Sequence, residues 1–498
     1  MAQLMHSFRG TSVPDDVLAM VRQGEVVSFC IFAMNVESPS HLRQLTDAIR
    51  AAAKEGGQLP PIIGIDQEGG QLIAVRGGTT ELPGNMALGA TRSPELAEKA
   101  GRVLGRELLA MGVNMNFAPT LDVNINPQNP VIGIRSFGDS PALVAELGAA
   151  MIRGMQAEGI IATAKHFPGH GDTADDSHLA APVVAHDLTR LQEVELYPFR
   201  ESLHSRAMMS SHIIYPALDE DNPATISHKI LSDLLRDEFG YDGLIVTDAM
   251  DMHAVARLGA NPSVEAALKA GADVIMLGHL KDQPQLTRSV QHLFNADSIA
   301  RIQQAQRALS AELPDLSVLG CEEHQAIAQE IADRSITVVR DSAGRLPIGT
   351  GSLAVVTVKP ANLTPADTSA DVEIKLAEAI RQRRGDTFSC DLPYQASDAA
   401  IQTALTAVAG YETVVVGTIN ADESQAAFVN ALIQRGQMPI VVALRTPYDI
   451  TEFPQIDTYL CAYGIRDVTT EAIARVLFGE IEATGVLPCA IPGIMTTV

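Results

Sequence analysis

The stretch GIIATAKHF, residues 159–167, is a run of mostly apolar residues that ends in a lysine and a histidine. A short apolar run of this kind indicates a strand that is buried on both faces, as strands of parallel sheets are. The amphipathic stretch before it, residues 142–158, has the period of a helix. A helix followed by a buried strand is the repeating element of an α/β fold.

The same alternation extends in both directions from this stretch. Six further apolar runs are found at residues 26–33, 60–66, 113–120, 206–213, 243–250 and 272–278. Seven such strands, each followed by a helical pattern, predict an α/β protein with a TIM-type (β/α)₈ barrel over residues 1–312. The eighth strand of this barrel has no clear apolar run in the sequence.

The pattern changes after a predicted linker at residues 313–330. Five further apolar runs alternate with helical segments, at residues 335–340, 352–359, 413–419, 439–445 and 458–463. They predict a second domain over residues 331–498, an α/β sandwich built on an open sheet. Neither a GxGxxG fingerprint nor a GxxxxGK[ST] phosphate loop is present in the sequence.

The composition excludes some classes of partner. The 498 residues carry a formal net charge of −24, which disfavours nucleic acid and anionic membrane surfaces because phosphate binding needs a basic surface. The five cysteines are scattered and show no CxxC spacing, so we expect reduced thiols in a reducing compartment. No basic region followed by an apolar segment opens the chain, and we therefore expect a cytoplasmic protein.

Polar side chains recur where the predicted barrel strands end. Active sites of barrels are built at the carboxyl ends of the strands, so this recurrence predicts an enzyme active site. The residues concerned are Asp66, Asp122, Lys165, His166, His212 and Asp248.

The segment KHFPGHGDTADDSH, residues 165–178, concentrates histidines and aspartates. His166 and His170 have the spacing of two zinc ligands on one helical turn. Pro168 and the neighbouring glycines break any helix there, and the segment has no HExxH motif. We therefore expect no metal site in this segment.

The same segment offers a pair suited to proton transfer. Asp176 and His178 are separated by one residue, so their side chains can lie on one side of an extended backbone. A carboxylate that accepts from one imidazole nitrogen raises the basicity of the other, which makes His178 a candidate general acid and base. With Asp248 as a carboxylate nucleophile, these groups supply the chemistry of retaining glycoside hydrolysis, with a histidine where a second carboxylate is usual.

These motifs together resemble glycoside hydrolase family 3, in its β-N-acetylglucosaminidase branch and two-domain form. The resemblance spans most of the predicted barrel, and TGVLPCAIPG near the C-terminus is similar to the family's second domain. The barrel motifs that carry it are IDQEGGQ (65–71), NFAPTLDVN (116–124), IRSFGDSP (134–141), KHFPGHGDTADDSH (165–178), MSSHIIYPALD (209–219) and GLIVTDAMDM (243–252).

The resemblance implies a role for each matching residue and implies no metal or other cofactor. Asp248 matches the nucleophile that forms a covalent glycosyl-enzyme, and His178 matches the acid/base, oriented by Asp176. The residues that match sugar-binding positions are Asp66, Arg135, Lys165 and His166. The remaining polar residues of the 165–178 segment, His170, Asp172 and Asp175, are expected to shape the loop.

One position departs from the family pattern. Ala74 stands where the family usually has an arginine, four residues after the second glycine of DQEGG. Arg76 lies two residues further on and would face the same side of a strand, so it is a candidate substitute in sugar binding.

The implied substrate is a small glycoside that ends in β-linked GlcNAc, such as a muropeptide. The absence of tryptophan favours a small pocket for one terminal sugar, because enzymes that grip long polysaccharides often use aromatic platforms. A β-N-acetylglucosaminide phosphorylase with the same residues is the alternative activity. A β-glucosidase or xylosidase and a non-catalytic sugar-binding barrel are weaker alternatives. The sequence leaves the oligomeric state open.

Overall fold

The computed structural model describes residues 3–173, 182–310 and 312–495. Within these residues, the first domain contains ten strands, eight of which form the barrel. The ten strands are β1 (Leu4–Met5), β2 (Ser28–Ile31), β3 (Ile62–Ile65), β4 (Gln67–Gly69), β5 (Leu72–Ile73), β6 (Met115–Asn116), β7 (Ile161–Phe167), β8 (Ala207–Ser210), β9 (Leu244–Thr247) and β10 (Ile275–Met276).

Backbone pairing closes these strands into a ring. Strands β2, β3, β6, β7, β8 and β9 form one parallel sheet in that order, and β1 pairs in parallel with β10. Parallel bridges join His6 to Phe29 at one seam and Val246 to Val274 at the other. In the described part of the chain, eight parallel strands therefore surround one axis, and the predicted barrel is confirmed.

The eighth strand, which the sequence pattern did not reveal, is β1. It consists of Leu4 and Met5 alone, both fully buried, and pairs with Ile275 and Met276. Strands β6 and β10 are equally short, but they lie within longer apolar runs, whereas Leu4 and Met5 stand between the polar residues Gln3 and His6. Tertiary closure of the barrel, rather than a local pattern, places β1 between β10 and β2.

Helices cover the outside of the barrel. Three of them, α2, α4 and α5, begin with the same Ser-Pro pair, in which the serine hydroxyl accepts a backbone N–H of the first turn and proline occupies the first helical position. The helices are α1 (Asp15–Gln23), α2 (Pro39–Glu55), α3 (Asn85–Thr91), α4 (Pro94–Ala110), α5 (Pro141–Ala157), α6 (Leu188–Glu193), α7 (Tyr197–Arg200), the π-helix Lys229–Glu238, α8 (His253–Ala256), α9 (Ala260–Ala270), α10 (Gln283–Val290) and α11 (Ala296–Arg307).

The second domain is a mixed six-stranded sheet with helices packed against it. Its strand order is β11-β16-β15-β14-β12-β13, and only β11 runs antiparallel to its neighbour. The strands are β11 (Thr337–Asp341), β12 (Leu353–Val358), β13 (Phe388–Leu392), β14 (Thr413–Thr418), β15 (Ile440–Ala443) and β16 (Thr458–Cys461). The helices are α12 (Glu322–Ser335), α13 (Leu376–Arg381), α14 (Asp398–Ala407), α15 (Glu423–Gln434) and α16 (Asp467–Leu477).

The two-domain α/β fold is confirmed, but one strand of the second sheet was not predicted. Strand β13 reads FSCDL and lies at the sheet edge, where most of its residues are partly exposed. An edge strand needs no continuous apolar run, so it lacks the signal by which the five others were found.

The predicted linker is only partly irregular. Helix α12 begins at Glu322, inside the predicted linker of residues 313–330. Its His324 Nδ1 lies 2.8 Å from Oε1 of Glu107 on α4, and both side chains are buried. The segment therefore anchors the second domain to the barrel, and the domain boundaries at 312 and 331 stay predictions.

Both domains contribute to one continuous apolar core. No helix of the described residues is long and apolar enough to cross a bilayer.

Candidate active site

A cavity of about 770 Å³ opens at the carboxyl ends of the barrel strands. Most of its lining comes from residues that end the strands or follow them in the connecting loops. A segment of the second domain, Leu363–Thr368, contributes to the same cavity. The titratable barrel side chains that line it are those of Asp66, Arg135, Lys165, His166, His170, His212, Asp248, Asp251 and His253.

A buried ion cluster forms one half of the cavity floor. Lys165 Nζ lies 2.7 Å from Asp66 Oδ1 and 2.6 Å from Glu68 Oε1. Arg135 donates to both carboxylate oxygens of Glu68, from Nε to Oε2 at 2.9 Å and from Nη2 to Oε1 at 2.8 Å. Lys165, Glu68 and Arg135 are almost fully buried, whereas the Asp66 side chain is 33% exposed. Asp66 is therefore the carboxylate of this cluster that a ligand can reach.

The charges of the cluster hold one another in the ionised state. Burial alone would raise the pKa of Glu68, but the positive charges of Arg135 and Lys165 hold it well below its usual range. Burial alone would lower the pKa of Lys165, but the carboxylates of Asp66 and Glu68 raise it above its ordinary value. The site thus presents fixed cations and anions at neutral pH.

Sequence reasoning missed Glu68, which the structure places at the centre of this cluster. The sequence signal for Glu68 was its spacing from Asp66, since residues two apart on a strand face the same side. Asp66 precedes strand β4, which contains Glu68, so a strand reading of DQEGG would have paired the two carboxylates.

Imidazole groups form the other half of the floor. Nδ1 of His166 lies 2.7 Å from Oδ2 of the fully buried Asp122. The other oxygen of Asp122 accepts the backbone N–H groups of His166 and His170. Gly171 lets this segment approach closely, because a Cβ atom there would lie 1.7 Å from the carbonyl oxygen of Val123. Asp122 thus fixes both histidine positions from below.

His170 packs edge-on against His166, with ring centroids 5.6 Å apart. Its Nδ1 lies 2.9 Å from Thr173 Oγ1. Burial, together with the neighbouring His166, lowers the pKa of His170 to about 4. His170 is therefore neutral at neutral pH and lines the cavity without carrying charge.

Asp248 lies on the opposite wall, directly after β9. Its Oδ1 accepts the backbone N–H of Ala249 at 2.7 Å. Burial alone would raise the pKa of Asp248, but His212, His166 and that backbone N–H lower it. His212 is itself held between Thr225 Oγ1 and the carbonyl of Ala249, and burial lowers its pKa. Asp248 is therefore an ionised carboxylate facing the cavity.

The structure places Arg76 away from the cavity. Its Nη1 lies 3.0 Å from Oδ2 of Asp371 and donates to the carbonyl of Thr368, both in the second domain. Ala74, by contrast, lines the cavity. The position of the missing family arginine is thus at the site, and the candidate substitute instead joins the two domains.

Asp175, Asp176 and His178 lie outside the described residues. Asp172, which precedes them, is described, and its Oδ2 lies 2.6 Å from His186 Nε2. Within residues 3–173, 182–310 and 312–495, no three His, Cys, Asp or Glu side chains are grouped as a metal site would require.

Comparison with known proteins identifies the family. Residues 2–310 match the Glycosyl hydrolase family 3 N terminal domain, and residues 325–497 match the corresponding C-terminal domain. The chain belongs to glycoside hydrolase family 3. It is therefore a glycoside hydrolase, as the sequence predicted.

Relatives place the chain within that family. It is 31% identical to Beta-hexosaminidase A of Pseudoalteromonas piscicida over 97% of this chain and 92% of that protein. A Beta-hexosaminidase of Nitrosomonas eutropha is 36% identical over 60% of this chain and 87% of its own length. The family 3 β-N-acetylglucosaminidase of Paenibacillus sp. FPU-7 superposes with a TM-score of 0.92 at 33% identity, over 100% of this chain and 98% of that one. The predicted resemblance to the β-N-acetylglucosaminidase branch is confirmed.

Proposed function

We propose that the protein is a retaining exo-β-N-acetylglucosaminidase that removes terminal β-linked GlcNAc from small glycosides. The observation that carries this proposal is the ionised Asp248 after β9, which faces the Lys165–Asp66 ion pair across one cavity. The names of the relatives that cover nearly the whole chain support the choice of N-acetylhexosamine as the sugar.

The ion cluster is suited to hold sugar hydroxyls. The carboxylate of Asp66 accepts hydrogen bonds, and Lys165 has three ammonium protons, two of which are directed at carboxylates. Arg135 keeps guanidinium protons beyond the two that Glu68 accepts. His166, which Asp122 orients through Nδ1, adds a polar contact from strand β7. These four residues, Asp66, Arg135, Lys165 and His166, are the proposed substrate-binding residues.

Catalysis is proposed to follow two displacements at the anomeric carbon. In the first, a carboxylate oxygen of Asp248 bonds to C1, the bond from C1 to the aglycone oxygen breaks, and His178 gives that oxygen its proton. In the second, His178 takes a proton from water, the water oxygen bonds to C1, and the bond to Asp248 breaks. Asp176 orients His178 in both steps. The sugar leaves with its β configuration retained.

The proposed natural substrate is a muropeptide fragment, and the proposed compartment is the cytoplasm. Digestion of purified muropeptides, with mass analysis of the products, tests the first of these. Fractionation of cells that express the tagged protein tests the second.

The activity is tested with the p-nitrophenyl β-glycoside of GlcNAc, with and without inorganic phosphate. We expect release of nitrophenol and free GlcNAc at a rate that phosphate does not change. Formation of GlcNAc-1-phosphate would support the phosphorylase alternative instead. Binding of GlcNAc without turnover in either condition would contradict an enzymatic role.

The covalent intermediate is tested separately. Enzyme quenched in acid during turnover should gain the mass of one N-acetylhexosamine residue on the peptide that contains Asp248. A labelled peptide elsewhere in the chain would reassign the nucleophile.

A further inference from the structure

One loop of the second domain reaches the cavity of the barrel. It connects β12 to α13 and runs from residue 359 to residue 375. Loops beyond about 12–15 residues without secondary structure are uncommon in compact domains and are usually functional when ordered. Leu363, Thr364, Pro365, Ala366 and Thr368 of this loop line the cavity. We call these residues, with the intervening Asp367, the 363–368 wall.

Hydrogen bonds fix the wall to the barrel. The hydroxyl of Thr368 donates to the carbonyl of Gln71 at 2.9 Å and accepts the N–H of Ile73 at 3.2 Å. The backbone N–H of Thr368 donates to the same Gln71 carbonyl, and Gln71 Nε2 donates to the carbonyl of Ala366. The wall is therefore docked on the hairpin β4–β5, which begins one residue after Asp66.

A buried ion pair fixes the wall from within the second domain. Arg445 Nη1 lies 2.7 Å from Oδ2 of Asp367, and their side chains are 6% and 0% exposed. Arg445 also donates to Oε1 of Gln71, and Asp367 accepts the N–H groups of Leu363 and Ser369. A buried pair costs desolvation energy, and its best-attested use is to fix one geometry. The wall is thus held from both domains.

The position of the wall relative to the nucleophile follows from the barrel. Strand β3, which precedes Asp66, and strand β9, which precedes Asp248, are four strands apart in a ring of eight, so they face each other across the axis. The wall lies on the β3 side. If Asp248 bonds to C1 of a pyranose ring, the opposite ring atom, C4, points toward Asp66 and the wall.

Beyond the ion cluster, this side carries no charged side chain among the described wall residues that line the cavity, and it combines apolar groups with the hydroxyl groups of Thr364 and Thr368. Ala74 and Leu72 of the barrel line the cavity together with Leu363, Pro365 and Ala366. Ala74 is the position where the family usually has an arginine. The wall and the two barrel side chains therefore close this side with bulk rather than with a charged group.

We propose that the 363–368 wall is the end stop of the sugar site, which rejects any substituent on O4 of the terminal sugar and so enforces action from the chain end. This inference rests on the proposed function, because it takes Asp248 as the nucleophile at C1. It assigns a specificity role to the second domain.

The test compares two substrates, the p-nitrophenyl β-glycoside of GlcNAc and its 4-O-methyl derivative. The measured quantity is the ratio of kcat/KM for the unmodified substrate to that for the methylated one. A general loss of folded enzyme cancels in this ratio. For the wild type we expect a ratio of about 100, since one methyl group in a tight pocket is worth about 10–200-fold.

The variant Leu363→Ala/Pro365→Ala should lower that ratio by about tenfold, because it removes bulk from the wall. A second variant, Asp367→Asn, should lower it less, because it loosens the wall without shortening it. Met252→Ala is the matched control, since Met252 lines the same cavity on the side of β9. It should leave the ratio unchanged.

Two results would overturn the proposal. One is a wild-type ratio near 1, and the other is an unchanged ratio in Leu363→Ala/Pro365→Ala while that variant still hydrolyses the unmodified substrate. No turnover of either substrate by the wild type would overturn the proposed function and this inference with it. The two failures are therefore distinct.

Discussion

The two halves of the cavity floor stabilise their buried charges in different ways. In the cluster of Asp66, Glu68, Lys165 and Arg135, each cation contacts a carboxylate within 3 Å. The carboxylates of Asp122, in the imidazole half, and of Asp248, on the opposite wall, instead accept backbone N–H groups and are stabilised chiefly by histidines.

The difference separates binding from reaction. Charges that are fully paired keep their protonation state and their geometry, which suits recognition of neutral sugar hydroxyls. Asp248 accepts one backbone N–H, and its pKa is lowered by His212 and His166 more than by Lys165, so its carboxylate keeps the freedom to form a bond at carbon. Substitutions can disrupt each half separately.

The largest loss of activity is expected when Asp248 is replaced. Asp248→Asn should lower kcat/KM for the p-nitrophenyl glycoside by about 10⁴-fold, the scale on which removal of a nucleophile acts in other enzymes. Steady-state kinetics measures the loss. The control is Asp251→Asn, which changes another carboxylate of the same cavity. Activity of Asp248→Asn within tenfold of the wild type would refute the nucleophile assignment.

Disrupting the ion cluster should lower the free energy of unfolding as well as weaken substrate binding. Glu68→Gln leaves Arg135 and Lys165 without their shared buried carboxylate, and loss of one partner of a buried pair costs about 3–5 kcal/mol. The free energy of unfolding in urea measures this. Asp47→Asn removes the half-exposed partner of Arg43 and should leave stability nearly unchanged. Equal stability of the two variants would show that the Glu68 cluster is not the tight network described above.

In the imidazole half, His170 should make the stability of the protein depend on pH. The pKa of His170 is about 4 in the folded protein, whereas an unfolded histidine has a pKa of about 6.5. Between these values the unfolded chain binds a proton that the folded chain does not, so stability falls as pH falls from about 6.5 toward 4, by up to about 3 kcal/mol.

His170→Asn should remove that part of the slope, as urea unfolding at a series of pH values would show. His292→Asn, at an exposed position, should keep the wild-type slope. A slope in His170→Asn as steep as that of the wild type would mean that His170 is charged in the folded protein.

The smallest effect is expected where Arg76 joins the domains. Arg76 is 35% exposed and Asp371 is 74% exposed, and exposed pairs contribute about 0–1 kcal/mol. Arg76→Gln should therefore leave the KM of the glycoside almost unchanged, and Asp371→Asn should behave in the same way. A large rise in KM for Arg76→Gln alone would instead support the prediction that Arg76 binds the sugar.

The parts of the molecule that could be predicted from the sequence are those with a local signal. Buried parallel strands are continuous apolar runs, so seven barrel strands were found, whereas β1, whose two apolar residues are flanked by polar ones, and the edge strand β13 were not. Asp66, Lys165 and Asp248 were found because they follow such runs directly.

Other features depend on contacts between distant residues. Glu68 acts through Arg135, which lies 67 positions further along the chain, and Arg76 turns toward Asp371 because the second domain docks there. The 363–368 wall has no motif of its own, and only the packing of two domains brings it to the cavity. Asp176 and His178 stay predictions of the sequence.

The shared core of the two domains has a consequence for how the enzyme would fail. Because apolar side chains from both domains pack into one core, and one wall of the cavity belongs to the second domain, unfolding of that domain would expose apolar surface of the barrel and remove the wall in the same event. Heating should therefore abolish substrate discrimination and turnover together, without an intermediate stage of relaxed specificity.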